Sequence, residues 1–216
     1  MVIIMKTETV ALPVVRRLPR YYRFLSTLKQ SGIVRISSKE LAARMGLTAS
    51  QIRQDLNCFG GFGQQGYGYN VDQLSAEIER ILRLDTVIPT IVIGAGNLGR
   101  ALTFHLYGTK GIQLIGVFDK NPRGVIDMHP DLKVFGNDQL ESFCAEHHPQ
   151  VAILCIPGES AQMMVDHLAT LGIQGFWNFT SADLHLPSGV SVENVQLSDS
   201  IMTLGYKIHH VPVKPV

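Results

Sequence analysis

The chain has 216 residues, 45% hydrophobic and 17% charged, the balance of an ordinary globular protein built as one large domain or two small ones. Its net charge of +1 conceals an uneven split: residues 1–70 carry ten Lys/Arg against three Asp/Glu, and residues 71–216 carry nine against fifteen. The absence of an 18-residue apolar run, an apolar start too short for a secretion signal and three cysteines without C-x-x-C spacing predict a cytoplasmic protein, not a membrane one, whose basic front end meets a polyanion.

Residues 18–30, LPRYYRFLSTLKQ, predict a helix with Pro19 in its first turn, where a missing N–H costs nothing. Leu18, Tyr21 or Tyr22, Leu25 and Leu28 share its inward face, and Gly32 ends it. After a short β-prone stretch, Ile33 to Ile36, two helix starts follow closely. Ser37-x-x-Glu40 is a capping box for a helix through Met45, closed by Gly46. Thr48-x-x-Gln51 opens another through about Cys58. Two short helices joined by Gly46-Leu47 form a helix-turn-helix signature.

The second of these helices carries an inward stripe of Ala49, Ile52, Leu56 and Phe59. Its outward face holds Ser50, Arg53, Gln54 and Asn57, with Gln51 beside them. Arg suits guanine O6/N7, and Gln or Asn suits adenine N6/N7. A solvated helix face would also fit this pattern, but the basic excess and the turn spacing favour DNA. Arg17, just ahead of the first helix, joins the candidate DNA contacts.

Gly61-Phe62-Gly63-Gln64-Gln65-Gly66 reads G-x-G-x-x-G, yet it follows a helix rather than a strand. A dinucleotide turn must follow a strand and open a helix, so that free N–H groups face the pyrophosphate. The stretch FGGFGQQGYGY reads instead as a hairpin tip, the wing of a winged helix. Its candidate DNA contacts are Gln64, Gln65, Gly66 and Tyr67. A helix over about 71–84 follows.

From Thr90 strands and helices alternate, which predicts a doubly wound parallel sheet of the α/β class. Thr90 to Ile93 is a buried strand type, Gly94-Ala95-Gly96-Asn97-Leu98-Gly99 follows at once, and Asn97 to about Tyr107 is helical. This second glycine motif has the required context. Ile112 to Phe118 is a strand ending in Asp119, a carboxylate placed to accept bonds from an adenine ribose. It would repel a 2′-phosphate, so NAD is favoured over NADP, with Lys120 beside it. A glycine turn in another α/β fold, including CoA-binding domains with the same start, shares these features.

Strands are further predicted over 132–135, 151–156 and 175–179, and helices over 138–146 and 159–171. Pro157, Asn178 and Phe179 fall at strand ends, where they would line a nicotinamide pocket. A last helix, about Leu197 to Lys207, carries Leu197, Ile201, Leu204 and Ile208 and could pack on a partner subunit. No Y-x-x-x-K pair, His/Asp constellation or metal spacing is found, and little chain remains for a substrate domain; sensing is favoured over turnover.

Leu18-Pro19-Arg20-Tyr21-Tyr22, Gln51 to Leu56, Phe59 to Gly63, Gly66 to Tyr69, Ile93 to Leu102, Trp177-Asn178-Phe179 and Val192 to Val195 together resemble the Rex family of bacterial redox-sensing transcriptional repressors. The resemblance spans nearly the whole chain. It implies a winged-helix DNA-binding domain over 1–70, a linker helix over 71–85, an NAD(H)-binding Rossmann domain over 86–195 and a dimerisation helix and tail over 196–216. It implies a homodimer with exchanged C-terminal helices that binds a palindromic operator when apo or loaded with NAD+, and is released by NADH. The family pattern places a basic residue at Gln54 and an arginine at Gln65. It also places a tyrosine at His105 and an aspartate at Gln196, which with a residue matching Arg23 form a polar switch. Here the set is Arg23, His105 and Gln196. A neutral amide replaces a carboxylate, so the resemblance implies a weaker polar link.

Overall fold

The computed structural model describes residues 10–60, 63–64, 67–122 and 132–210. The chain divides into two compact units, Met1–Thr86 and Val87–Val216.

In the first unit α1 (Leu12–Val15) leads into α2 (Leu18–Gln30), which buries Leu18, Tyr21, Leu25 and Leu28, so Tyr21 rather than Tyr22 faces inward. Strand β1 is only Arg35–Ile36. Helix α3 (Ser38–Met45) starts at a complete capping box between Ser37 and Glu40, and Gly46 ends it in the left-handed conformation at φ 64°. Helix α4 (Ala49–Asn57) is capped by Thr48, whose side chain accepts from the Gln51 N–H. The reciprocal arm is absent there, because the Gln51 amide turns to Asp55 instead. Strands β2 (Gly63–Gln64) and β3 (Gly68–Asn70) form the expected hairpin, and β3 also pairs with β1. The sheet order β1-β3-β2 after a helix-turn-helix is a winged helix.

Helix α5 (Val71–Ile81) corrects the sequence reading in two ways. Expected as a linker, it contributes Val71, Leu74 and Ile78 to the same core as α2. It also stops three residues early, because Arg83 takes a left-handed φ of 52° and breaks the helical path.

The second unit is a six-stranded sheet in the order β6-β5-β4-β7-β8-β9, all parallel. The strands are β4 (Ile88–Ile93), β5 (Ile112–Asp119), β6 (Val134–Gly136), β7 (Val151–Leu154), β8 (Gly175–Asn178) and β9 (Ser191–Asn194). Renumbered from β4, this is 3-2-1-4-5-6, the dinucleotide-binding Rossmann order, with the strand order reversing between β4 and β7. Helices α6 (Asn97–Leu106), α7 (Leu140–His147) and α8 (Gly158–Thr170) cross between strands. Alternation is strict: Ile91 and Ile93 join one buried cluster with α7 and α8, while Val92 joins the other with Leu106 of α6. The sequence gives no sign of β9, because as an edge strand it is largely exposed and lacks apolar alternation. A 3-10 turn, Asn137–Gln139, precedes α7 where a helix start was expected.

The last helix, α9 (Leu197–His210), runs three residues beyond its predicted end and buries none of its residues.

The wing is fixed at Gly68. With φ at 69°, a Cβ there would stand 2.6 Å from the Ile36 carbonyl oxygen on β1. Gly32 has a similar φ of 72° but open space around it. Gly32→Ala is therefore expected to show backbone strain alone, about 1 kcal/mol, and Gly68→Ala a larger loss of about 3 kcal/mol or more, as the clash adds to the strain. Equal losses by chemical denaturation would refute the close approach.

Candidate functional site

Helix α4 presents two faces. Ser50, Arg53, Gln54 and Asn57 are exposed, as the sequence spacing predicted, while Ile52, Asp55 and Leu56 are buried. Arg53 donates to the Ser38 hydroxyl at 3.2 Å, which ties the outward face of α4 to the first residue of α3. On the wing Tyr67 is 70% exposed, whereas Tyr69 packs into the core with Phe59. Gln65 and Gly66 lie outside the described residues, and Gln64 is described only as part of strand β2.

Two expected DNA contacts are engaged inside the protein. Arg17 donates from Nε and Nη2 to the two Asp55 carboxylate oxygens at 2.6 and 2.7 Å. Gln51, half-buried, donates to Asp55 Oδ1 at 3.0 Å, and the Tyr21 hydroxyl donates to Oδ2 at 2.8 Å. Arg20 adds a second clamp from α2, donating to the Met45 carbonyl at the end of α3 at 2.6 Å. Part of the basic excess of the front end thus organises the helix-turn-helix from within.

Asp55 was not singled out from sequence, although the signal was present. It stands on the buried stripe between Ile52 and Leu56, and a carboxylate there needs partners. Burial alone would raise its pKa, but hydrogen bonds from Arg17, Gln51 and Tyr21 outweigh that and hold it below the usual carboxylate range.

In the second unit the candidate residues converge on the carboxyl ends of the strands. Gly94 leaves β4 at φ 100°, and a Cβ on it would overlap the Cys155 carbonyl at the end of β7. A Cβ on Gly99 would overlap the Gly94 carbonyl as α6 passes the turn. Gly96 differs: nothing lies within 4 Å of where its Cβ would stand, and Gly96 and Asn97 are exposed. The first and third glycines allow tight packing, and the second leaves main-chain N–H groups approachable by a phosphate at a helix N-terminus. Ala95 is buried and Leu98 half-buried, so they support the turn.

Asp119 ends β5, and its Oδ2 accepts the Ala95 N–H at 2.8 Å while Oδ1 accepts the Asn121 N–H at 2.8 Å. The carboxylate expected to meet a ribose therefore also anchors the glycine turn, with lone pairs left on both oxygens. Lys120 is exposed beside it. Pro157 is exposed at the N-cap of α8, and Phe179 is half-buried against Trp177 with ring centroids 4.8 Å apart.

Asn178 departs from its expected role. It is fully buried and donates to the Ala182 carbonyl and Asn194 Oδ1, while its own oxygen accepts from the Thr180 N–H and hydroxyl. All four hydrogen-bonding positions are filled, so it shapes the turn after β8 and offers a ligand no free polar group. Gln196 donates to the Thr180 carbonyl at 2.7 Å in the same network. Arg23 is exposed on α2 in the first unit, and His105 is exposed on α6 in the second. The Cys155 thiol, beneath the glycine turn, is pushed up to about 11 by burial. Among the described residues no group of three or more His, Cys, Asp or Glu could hold a metal ion, and no helix is long and apolar enough to cross a membrane.

Family models match part of each unit. Residues 9–57 match the model of a putative DNA-binding protein N-terminus, and residues 85–182 match a CoA binding domain. The chain is 50% identical over 205 residues to the redox-sensing transcriptional repressor Rex of Caldanaerobacter subterraneus subsp. tengcongensis, covering 94% of this chain and 92% of that protein. It is similar to the crystal structure of RSP in complex with beta-NAD+ and operator DNA, at 47% identity and a TM-score of 0.88, covering 94% of each chain. RSP in complex with beta-NADH superposes with a TM-score of 0.85 at 44% identity, covering 94% of this chain and 96% of that one.

The Asp55 network makes a signed pH prediction. A carboxylate whose folded pKa is depressed contributes stability above its unfolded value, about 3.9, and loses it as pH falls through the lower folded value. The gap in melting temperature between wild type and Asp55→Asn is expected to be constant above about pH 5 and to narrow below about pH 4. A gap that widens on acidification would show that Asp55 is not held ionised.

Proposed function

The chain belongs to the Rex family of redox-sensing transcriptional repressors, and from that premise we propose how its own residues bind operator DNA and respond to NADH. The observation that carries this reading is full-length likeness to RSP, solved with NAD+ on operator DNA and separately with NADH. The family is named for repression, and the chain acts as a regulator rather than an enzyme.

DNA binding falls to the exposed face of α4, where Arg53, Gln54 and Asn57 have the donor and acceptor types for major-groove base edges and Ser50 suits either. The wing, with exposed Tyr67 and the neighbouring Gln64, Gln65 and Gly66, lies along the backbone. Gln54 and Gln65 are neutral, so base reading and shape carry more of the affinity than phosphate charge, and the salt dependence is shallow.

NADH and NAD+ are the cofactors. The turn from Gly94 to Gly99 fits a pyrophosphate, because the open side at Gly96 is where one must approach. Asp119 suits an adenine ribose and disfavours a 2′-phosphate. Pro157 and Phe179 line the nicotinamide end, with Asn178 holding the turn behind them. The cofactor supplies a redox-dependent charge and shape; no chemical step is catalysed.

Dimerisation belongs to α9. Leu197, Ile201, Leu204 and Ile208 recur at i, i+4, i+7 and i+11, each at least 49% exposed, along a helix that buries nothing in its own chain. A helix of that kind needs a partner surface. A two-fold homodimer then presents two α4 helices to a palindrome whose half-sites lie about one helical turn apart. Operator DNA and the NAD pool meet in the cytoplasm, where we place the protein. Arg23, His105 and Gln196 form the proposed switch. Gln196, a neutral donor already on the Thr180 carbonyl, offers Arg23 no ion pair.

Linkage sets the first test. If NADH weakens operator binding by some factor, on the order of 5–150, operator DNA must weaken NADH binding by the same factor. Fluorescence titrations of each ligand with and without the other are expected to return matching factors. Gly96→Ala is expected to keep the melting temperature, since its Cβ meets nothing, while NADH no longer releases the operator. Operator binding indifferent to both nucleotides in the wild type would overturn the reading.

A second test concerns α9. Ile201→Glu/Leu204→Glu is expected to shift the species seen by light scattering from dimer to monomer and to lower operator affinity at least tenfold, since one half-site alone is then engaged. A dimer that survives both substitutions would place the interface elsewhere.

A further inference from the structure

The Asp55 carboxylate is 1% exposed and receives four donors, two on each oxygen. Those donors come from two sides: Arg17, at the N-cap of α2, and Tyr21 within α2 from one, Gln51 of α4 from the other. Four lone-pair sites are thereby filled, which leaves the carboxylate no capacity for a further partner. Arg17 is half-buried, its side chain 26% exposed, and two of its three guanidinium nitrogens are on Asp55.

Helix α4 has nine residues, and its apolar anchors on the first unit's core are Ile52 and Leu56, with Ala49 partly buried. Apolar contacts are non-directional and leave the helix freedom to roll about its axis. A bidentate guanidinium–carboxylate pair is directional in distance and angle. With side chains at a radius of about 5 Å, a roll of about 20° carries a side-chain tip about 2 Å. That is enough to break hydrogen bonds to base edges, which need heavy atoms within about 3.2 Å. Arg20, one helical turn along α2, fixes the end of α3 on the Met45 carbonyl, so the neighbouring helix is held from the same rod.

We propose that Arg17 and Asp55 form a positioning clamp that sets the rotation of α4 for base reading, and that Arg17 acts through α4 instead of touching a DNA phosphate. Gln51 is oriented by the same clamp. Because Asp55 can only accept, the Gln51 amide must turn its nitrogen inward, which leaves its oxygen and second N–H for an adenine edge. This inference rests on the DNA-binding reading above.

The test uses full-length protein and a duplex that wild type enriches from a random pool, with a scrambled duplex beside it. Anisotropy titrations are run across a range of salt concentrations. Arg17→Lys keeps the charge and loses the two-pronged geometry. It is expected to weaken operator binding about tenfold or more, to leave scrambled-duplex binding unchanged, and to keep the slope of log affinity against log salt. Arg17→Gln is expected to keep that slope too. If Arg17 instead holds a phosphate, Arg17→Gln lowers the slope magnitude by about 0.9 per protomer, or about 1.8 for the bound dimer, and weakens both duplexes, while Arg17→Lys binds like wild type. Either result overturns the clamp.

Single variants that leave Asp55 unpaired can fail to fold, so Arg17→Met/Asp55→Leu, an apolar pair in place of the charges, is measured alongside. Its expected signature is a retained melting temperature with the preference for operator over scrambled duplex reduced about tenfold or more. Full preference in the double variant overturns the proposal. Failure of the wild type to enrich any palindrome overturns the DNA-binding reading and the clamp with it.

Discussion

The nucleotide-binding unit depends on how closely β4, β7 and the start of α6 approach one another. Gly94 sits against the Cys155 carbonyl, and Gly99 sits against the carbonyl of Gly94. Neither contact survives a side chain. The convergence stands where the strand order reverses, so it opens a crevice beyond the strand ends. Asp119 braces it from the neighbouring strand through the Ala95 N–H. Gly96 alone faces outward with open space, which makes one main-chain segment both rigid and approachable. Rigidity matters because N–H groups already held in place need no reorganisation to bind an anion.

The wing carries the same glycine spacing under a different constraint. Gly68 meets the backbone of β1, and the hairpin is closed by pairing of Gly63 with Tyr69 and Gln64 with Gly68. Here Gly63 and Gly68 serve antiparallel pairing rather than a strand-to-helix turn. In the reading proposed above, the first segment meets a small ligand at a crevice and the second a surface laid along a duplex.

Much of this was legible in the chain because local signals were strong. The capping box at Ser37, the left-handed Gly46 and the limits of α2 follow from residues within a few positions of each other. The outward face of α4 and the strand–glycine–helix sequence at Gly94 are likewise local. What stayed hidden was tertiary. Arg17 reads as a free cation until Asp55, 38 residues away, is brought beside it. Asn178 reads as a pocket residue until the turn to Ala182 and the strand at Asn194 fill its hydrogen bonds. Strand β9 shows no alternation because the sheet covers only part of it. For Arg17 and Asn178 the missing information is which distant polar group satisfies a buried one.

NADH-responsive DNA binding has an energetic scale that the sequence also bears on. Moving an equilibrium from almost wholly bound to almost wholly released takes about 5.5 kcal/mol of differential binding. In the proposed dimer two NADH molecules share that load, so each needs to supply about 3 kcal/mol, within the range of ordinary allosteric coupling. An ion pair between switch residues could provide part of it. With Gln196 neutral and its amide on the Thr180 carbonyl, that part is reduced to hydrogen bonding. The remainder must come from how well each α4 fits its half-site with and without NADH. A helix that rolls loosely would absorb a change in that fit without losing DNA. One clamped through Arg17 and Asp55, as proposed, would carry the change to the DNA, because the face of α4 could not adjust independently of the unit that holds it.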